Sequence, residues 1–320
     1  MALSISVVVP VFNEEESLPE LTQWIHRVMQ ANAYTYEVLL INDGSTDRSW
    51  EVIQELSASN TALKGINFTR NYGKSAALDA GFKRSSGEVV ITMDADLQDS
   101  PDEIPGLYAM IKGGLDVVSG WKKERHDPIS KTIPSKFFNG VTRWISGIQL
   151  NDFNCGLKAY RNKVVKNIHI YGEMHRYIPL LAKWNGFSKI GEKVVAHQAR
   201  KYGYSKFGLE RFLNGFLDLI SVSFVHRYKK KPMHFFGLLG TLSFFTGFAI
   251  TAWLIIQKIY GLSQGIKVRE VVDQPVFFLA LVALVIGAQL FLTGFIAELM
   301  TSNQSKEPEY KIDEEINLDF

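Results

Sequence analysis

Two stretches of this sequence, 235–256 and 275–297, contain no charged residue at all. Each is about 22 residues long, roughly 33 Å as a helix, enough to cross the hydrocarbon core of a bilayer. A pair of buried core helices is the alternative, but helices of this length without a polar face are uncommon in water-soluble domains. The segment between them, 257–274, carries charges of both signs. The pattern predicts a transmembrane hairpin over 232–300, leaving a long soluble portion ahead of it among the 320 residues.

In that soluble portion, short apolar, β-branched runs alternate with amphipathic segments. Residues 6–11, 37–41, 65–68, 89–93 and 116–119 read as strands, and 18–29, 48–56 and 75–84 carry helical spacing of apolar residues. Ser45, Thr46 and Asp47 are capping-type residues ahead of the second helix, and Gly87 is a stop beyond the third. Strand and helix in alternation imply an α/β domain over 1–208, with a parallel sheet and helices on both faces. Ligands of such sheets bind beyond the carboxyl ends of the strands, so the residues after each strand matter most.

Charge and cysteine narrow the setting. A net charge of +2 gives no global reason to expect nucleic acid. The single cysteine, Cys155, forms no intrachain disulfide, and a reducing compartment is the simpler assumption. The first apolar run is short, lacks a basic flank and leads into acidic residues, so no signal peptide is expected. Residues 209–231 mix apolar side chains with Glu210, Arg211, Asn214 and Asp218, then end in Arg227, Lys229, Lys230 and Lys231. That composition suits a segment lying in the headgroup layer or a plain surface helix, and the adjoining span favours the former. These cations, with Lys306 and Lys311, outweigh Lys258, Lys267 and Arg269 of the intervening loop. Positive-inside bias therefore places the soluble domain and both termini on the cytoplasmic side of a cell (inner) membrane. The acidic tail, 301–320, is expected to be disordered.

The sharpest chemical signal is the fourth strand, which runs into Asp94-Ala95-Asp96. On extended backbone, i and i+2 point to one side. Two such carboxylates repel unless a cation neutralises them, and hard divalent ions prefer oxygen ligands. The plain alternative is a solvated turn. The first strand ends in Pro10, Phe12, Asn13 and Glu14, and the second in Asn42-Asp43-Gly44-Ser45. Both place polar groups where a base and ribose bind, yet Asn-Asp-Gly-Ser is also good turn sequence. Gly73-Lys74-Ser75 resembles the end of a P-loop, but Phe68 stands where the earlier glycine belongs. No dinucleotide fingerprint follows the first strand.

In order and spacing, the motifs VVVPVFNEEES, INDGSTD, TRNYGKSAALDAGF, MDADLQDSPDEI, DFNCGLKAYR, EMHRYIPLL and ARKYGYSKFG resemble family 2 glycosyltransferases of the GT-A fold. Within that family the chain is similar to the dolichol-phosphate mannose synthase and bactoprenol glucosyltransferase group, over roughly residues 4–230 and in the two-span hairpin. The resemblance implies a Rossmann-like nucleotide-sugar domain. It implies that Pro10, Phe12, Glu14 and Asp43 contact the nucleotide, and that Asp94, Asp96 and Gln98 hold Mg²⁺ or Mn²⁺. Arg200, Ser205 and Lys206 match the late loop that reaches the donor diphosphate. Lys122 and Lys136 stand where the group has arginines for the acceptor phosphate, with Lys123 or Arg125 as substitutes. His175 and Arg176 match the acceptor-side His-Arg, with a structural helix surface as the alternative. The resemblance implies that Asp152 orients the acceptor or the sugar, whereas the arginine of Asp-Phe-Arg is Asn154 here.

The implied reaction is an inverting transfer from a nucleotide sugar (UDP-glucose, GDP-mannose or similar) to polyprenyl phosphate, undecaprenyl or dolichyl, at the cytoplasmic face. The bilayer is then a partner, and the resemblance leaves homo-oligomers open. Two rivals are a transferase acting on a glycan and a silent nucleotide-sugar-binding membrane protein. Against the first, the Gln-x-x-Arg-Trp motif of processive synthases is missing.

Overall fold

The computed structural model describes residues 3–123, 139–198, 201–202, 224, 231–302 and 312–317. The chain divides into two compact units, Met1–Leu219 with Pro308–Phe320, and Ile220–Glu307.

The strands of the first unit are β1 (Ile5–Val11), β2 (Tyr36–Asn42), β3 (Leu63–Phe68), β4 (Val89–Thr92), β5 (Val117–Trp121), β6 (Lys158–Arg161), β7 (Ile190–Val194) and β8 (Ile312–Ile316). They form one sheet in the order β7-β5-β6-β4-β1-β2-β3-β8. Helices α1 (Leu18–Ala31), α2 (Ser49–Ser59), α3 (Lys74–Arg84) and α4 (Ile104–Lys112) connect the early strands. The five strands expected from the sequence are present, each with ends within two residues. Just ahead of α2, Asp47 Oδ1 accepts the Ser49 N–H at 3.0 Å, while the N-cap position itself is held by Arg48 without a side-chain cap.

The expectation of an all-parallel sheet is corrected. β6 enters between β4 and β5 and runs antiparallel to both, and β8 pairs antiparallel with β3. β6 is four residues long and carries Lys158 and Arg161, so no apolar run announces it. The tail also departs from the expectation of disorder over Ile312–Ile316, which closes the β3 edge. Glu314 Oε2 there accepts the Trp50 indole N–H at 3.0 Å, and Asn317 Nδ2 donates to the Ser57 and Leu63 carbonyls.

Ile5, Val7, Val9 and Val11 share one core cluster with Leu18, Leu21, Ile25 and Met29 of α1 and with Ile104, Leu107 and Ile111 of α4. Val8 and Ile41 face α3 instead, so close that a Cβ on Gly81 would lie 2.4 Å from Val8 Cγ1. With both faces covered, the central strands are apolar throughout rather than alternating. Each fully buried Val, Ile or Leu stabilises the fold by about 1.5–3 kcal/mol. β1 lies between β2 and β4, so the strand order reverses at β1, and the crevice forms at the carboxyl ends of β1 and β4.

The second unit holds two helices, Pro232–Ser263 and Pro275–Ser302, both long and apolar enough to cross a membrane. Only 17% and 11% of their most apolar windows are buried, which sets them apart from core helices of a soluble domain. They pack through small residues: a Cβ on Gly240 would lie 2.7 Å from the Gly287 carbonyl, and one on Gly287 would lie 2.5 Å from Phe244 N. Such close backbone approach is how helices associate where lipid removes the hydrophobic drive. The first helix extends to Ser263, beyond the expected span end at 256. The expected interfacial segment, 209–231, lies outside the described residues apart from Phe224 and Lys231.

Candidate active site

A cleft of about 370 Å³ opens at the reversal point, bordered by Pro10, Val11, Phe12 and Glu14 at the end of β1, Asp43 after β2, Asn71, Gly73 and Lys74 after β3, and Asp94, Ala95 and Asp96 after β4. The first two loops are tied to each other. Asn13 N–H donates to Ser45 Oγ at 3.0 Å, and Asn13 Oδ1 accepts the Thr46 N–H at 2.8 Å. Glu14 N–H donates to Ser49 Oγ at 2.9 Å, and Glu15 Oε2 accepts the Arg48 N–H at 2.8 Å. The turn reading therefore accounts for Ser45, Thr46 and Ser49, while Pro10, Phe12 and Glu14 border the open cleft, with Phe12 38% exposed.

Asp43 is buried and holds the next loop. Its carboxylate accepts the Tyr72 N–H at 2.7 Å and the Gly73 N–H at 2.9 Å. Burial pushes its pKa up, and the two backbone donors partly offset that rise. The sequence marked Asp43 for nucleotide contact; the structure shows it also fixing the backbone that presents Lys74.

β4 ends at Thr92, so Asp94-Ala95-Asp96 occupies a turn rather than extended backbone, with Leu97 at φ +61°. The expected same-side placement on a strand is corrected, yet both carboxylates still border the cleft. Asp96 Oδ1 accepts the Gln98 N–H at 3.2 Å, the local bond that shapes the turn. Asp94 pairs with Lys74, the first residue of α3. The two side chains are 34% and 30% exposed, so the pair faces the cleft and is open to it. Burial favours the neutral acid, but Lys74, then Lys122 and His175, hold the Asp94 carboxyl at about 2. Behind it, a Cβ on Gly156 would lie 2.6 Å from Asp94 Oδ2, so only glycine lets the carboxylate rest against that backbone. Thr92 Oγ1 fixes the same spot by donating to the Gly156 carbonyl at 2.8 Å.

Beneath the cleft lies a second charged layer. Lys122 Nζ is 2.8 Å from the buried Asp99 carboxylate, which raises the lysine's pKa although burial works the other way. Lys158, on β6, is buried, donates to the Cys155 carbonyl, and has its pKa lowered by burial. The Cys155 thiol is pushed up to about 12 by burial, then by Asp99, consistent with an inert core cysteine. Asp152 is buried with Oδ1 accepting the Asn154 N–H at 3.0 Å, and Glu192 of β7 grips the Asn151–Asp152 backbone at 2.7 and 3.1 Å. It is not among the residues that border the cleft.

His175 reaches the cleft wall, where its N–H donates to Ser75 Oγ at 3.0 Å and its Nδ1 lies 3.1 Å from the same oxygen. Arg176 faces Glu173 at 3.8 Å instead and is not among the lining residues, nor is Gln98. Lys123 stands 5.9 Å from the Trp121 ring. Arg125, Lys136, Arg200, Ser205 and Lys206 lie outside the described residues. Among the described residues, no three His, Cys, Asp or Glu side chains converge as a preformed metal cage.

Sequence reasoning missed Lys74, Asp99 and Lys158. Lys74 is legible in principle, because it follows β3 just as Asp94 follows β4. Asp99 gives no signal because its partner Lys122 is distant in sequence, and Lys158 gives none because it lies on β6, which no apolar run announces.

A model of glycosyl transferase family 2 matches residues 6–174. The dodecaprenyl-phosphate galacturonate synthase of Rhizobium johnstonii is 36% identical over 303 residues, 93% of this chain and 88% of that protein. The undecaprenyl-phosphate 4-deoxy-4-formamido-L-arabinose transferase of Shewanella sediminis is 34% identical over 297 residues, 92% of this chain and 86% of that protein. Among solved structures, mannosyl-3-phosphoglycerate synthase from Rubrobacter xylanophilus aligns with a TM-score of 0.57 at 15% identity, covering 70% of this chain and 75% of that one. Glucosyl-3-phosphoglycerate synthase from Mycobacterium tuberculosis, in complex with Mn²⁺, uridine-diphosphate and glucosyl-3-phosphoglycerate, aligns with a TM-score of 0.54 at 18% identity, covering 70% and 80%. At those identities the structural likeness establishes the GT-A-type fold. The family model and the two close relatives settle the lineage: this chain belongs to glycosyl transferase family 2.

Proposed function

We propose that the chain transfers a sugar from a nucleotide sugar to polyprenyl phosphate, with inversion, at the cytoplasmic face of a membrane. The observation that carries this reading is the cleft at the β1–β4 reversal, where Asp43, Lys74, Asp94 and Asp96 converge in a chain whose relatives are named for polyprenyl-phosphate products. Those two relatives carry different sugars, galacturonate and formamido-arabinose, so kinship supports the lipid acceptor and leaves the sugar open.

The donor set fits a divalent cation, Mg²⁺ or Mn²⁺. Asp94 and Asp96, two carboxylates bordering an open cleft, would hold such an ion, since hard divalent cations prefer oxygen ligands. Bound there, a divalent ion would supply charge neutralisation for the nucleoside diphosphate leaving group. The chain's own residues do the rest. Phe12 and Glu14 at the rim receive the base and ribose, with Asp43 beneath. Lys74 and, from the resemblance, Arg200, Ser205 and Lys206 face the diphosphate. His175, Lys122, Arg125, Lys136 and Arg176 form the acceptor side by the same resemblance. Of these, Lys122 is paired with Asp99, Glu173 lies beside both Arg176 and His175, and His175 is the one among the described residues that borders the cleft with Asp94 and Asp96. A phosphate monoester is largely a dianion at neutral pH, its second pKa being near 6, and attacks without a strong base. Asp152 then serves to position the loop that carries Gly156. Alignment and charge neutralisation supply the rate.

Two helices long and apolar enough to cross a membrane, on the same chain, support an acceptor that is itself held in a bilayer. The test uses purified protein in detergent with Mn²⁺ or Mg²⁺, undecaprenyl phosphate and a panel of nucleotide sugars. Release of nucleoside diphosphate is expected only when lipid and one donor are both present. Release that ignores the lipid contradicts the proposal.

A further inference from the structure

The first acid of the cleft has a partner that the proposed cation must displace. Lys74 contacts the Asp94 carboxylate from the N-terminus of α3, while the Gly156 backbone packs against the same carboxylate. The geometry is directed. Asp43 fixes the Tyr72–Gly73 backbone, Gly73 turns at φ +92° to start the helix, and the next side chain points at Asp94. The ammonium ends a four-carbon stem, and the pair is only about one-third exposed on either side, so the lysine has both the room and the flexibility to turn within the cleft. A helix N-terminus adjoining that cation also favours an anion.

Resting on the transferase reading above, we propose that Lys74 is the site's built-in counter-ion. It neutralises Asp94 while the cleft holds no divalent cation, then turns to the donor's diphosphate when the cation takes the carboxylate. Cation and nucleotide binding are thereby coupled through one side chain: diphosphate draws Lys74 off Asp94, and the vacated acid binds the ion more tightly. Such coupling is reciprocal.

The experiment measures Mn²⁺ binding to the full chain in detergent by electron paramagnetic resonance of the free ion, with and without UDP or GDP. In Lys74→Met, nucleotide-free affinity for Mn²⁺ is expected to rise about tenfold, the worth of one unit of lost competition. The gain in Mn²⁺ affinity that nucleotide gives the wild type shrinks in the same variant by about as much. Lys74→Arg keeps a cation on Asp94 and retains wild-type behaviour in both measurements. Lys74→Met that binds Mn²⁺ no better than wild type, with undiminished nucleotide coupling, overturns the inference and leaves the metal reading intact. Wild type that binds no Mn²⁺ even with nucleotide removes both.

Discussion

The two units of this chain bury opposite things. In the catalytic unit, valines and isoleucines of β1, β2 and β4 fill the interior, and charge gathers at one edge of the sheet. In the hairpin, Leu238, Phe245, Trp253 and Leu279 point outward, and the contacts between helices are made by glycine backbone. The difference teaches what holds each together. The first is stabilised by removing apolar area from water, a drive that is lost for helices surrounded by lipid. The second depends on close approach. A consequence is that charges in the first unit are concentrated where chemistry is expected, whereas small residues in the second are concentrated where packing is needed.

The largest expected effect breaks the comparison if it fails. Asp94→Asn removes a cleft charge and should lower sugar transfer about a thousandfold, roughly 4 kcal/mol of barrier, with little change in thermal denaturation. A large loss of stability with modest loss of transfer would make the cleft charges structural. Gly156→Ala forces a Cβ to within 2.6 Å of the Asp94 carboxylate and should cost about a hundredfold in transfer, since displacement of a reacting group by about 1 Å has that scale. Nucleotide-sugar turnover of the folded variant checks it.

Gly287→Leu addresses the other unit. It drives the hairpin helices apart at the Gly240 contact and should lower unfolding free energy in detergent by about 1–3 kcal/mol. Nucleotide affinity, read by calorimetry, should stay unchanged; an equal fall in affinity would show that the units are not separable. The smallest effect concerns pH. Burial raises the Glu37 pKa, but Lys64 at 2.7 Å and hydrogen bonds from Ser6 and Ser86 outweigh it, so the folded value lies below the ordinary 4.5. A carboxyl depressed in this way stabilises fully above its unfolded pKa and loses that contribution as pH falls through the folded value. Melting curves taken downward from pH ~5 should therefore fall more steeply for wild type than for Glu37→Gln.

Much of this arrangement is legible in the linear sequence, for physical reasons. Buried parallel strands must be apolar along their length, so β1 and β2 are visible as runs such as Ile5–Val11. A membrane-length helix must lack charge, so the hairpin is visible too. Residues at strand ends have little choice but to face the crevice, which is why Asp94, Asp96, Glu14 and Asp43, legible as strand-end residues, border the cleft. What stays hidden depends on pairings between distant segments. β6 is short and carries two cations, and its direction is fixed only by its neighbours. β8 is an acidic pentapeptide whose strand conformation depends on the open edge of β3. Lys74 and Asp99 acquire meaning only through Asp94 and Lys122, which lie 20 or more positions away.

The most direct test of the central claim is anomalous diffraction from crystals of the full chain grown with Mn²⁺ and a nucleoside diphosphate. The account predicts one strong manganese peak within coordination distance of Asp94 and Asp96, with the Lys74 ammonium turned away from Asp94. Nucleotide bound in the cleft with no manganese at those carboxylates, or with Lys74 still on Asp94, would contradict it.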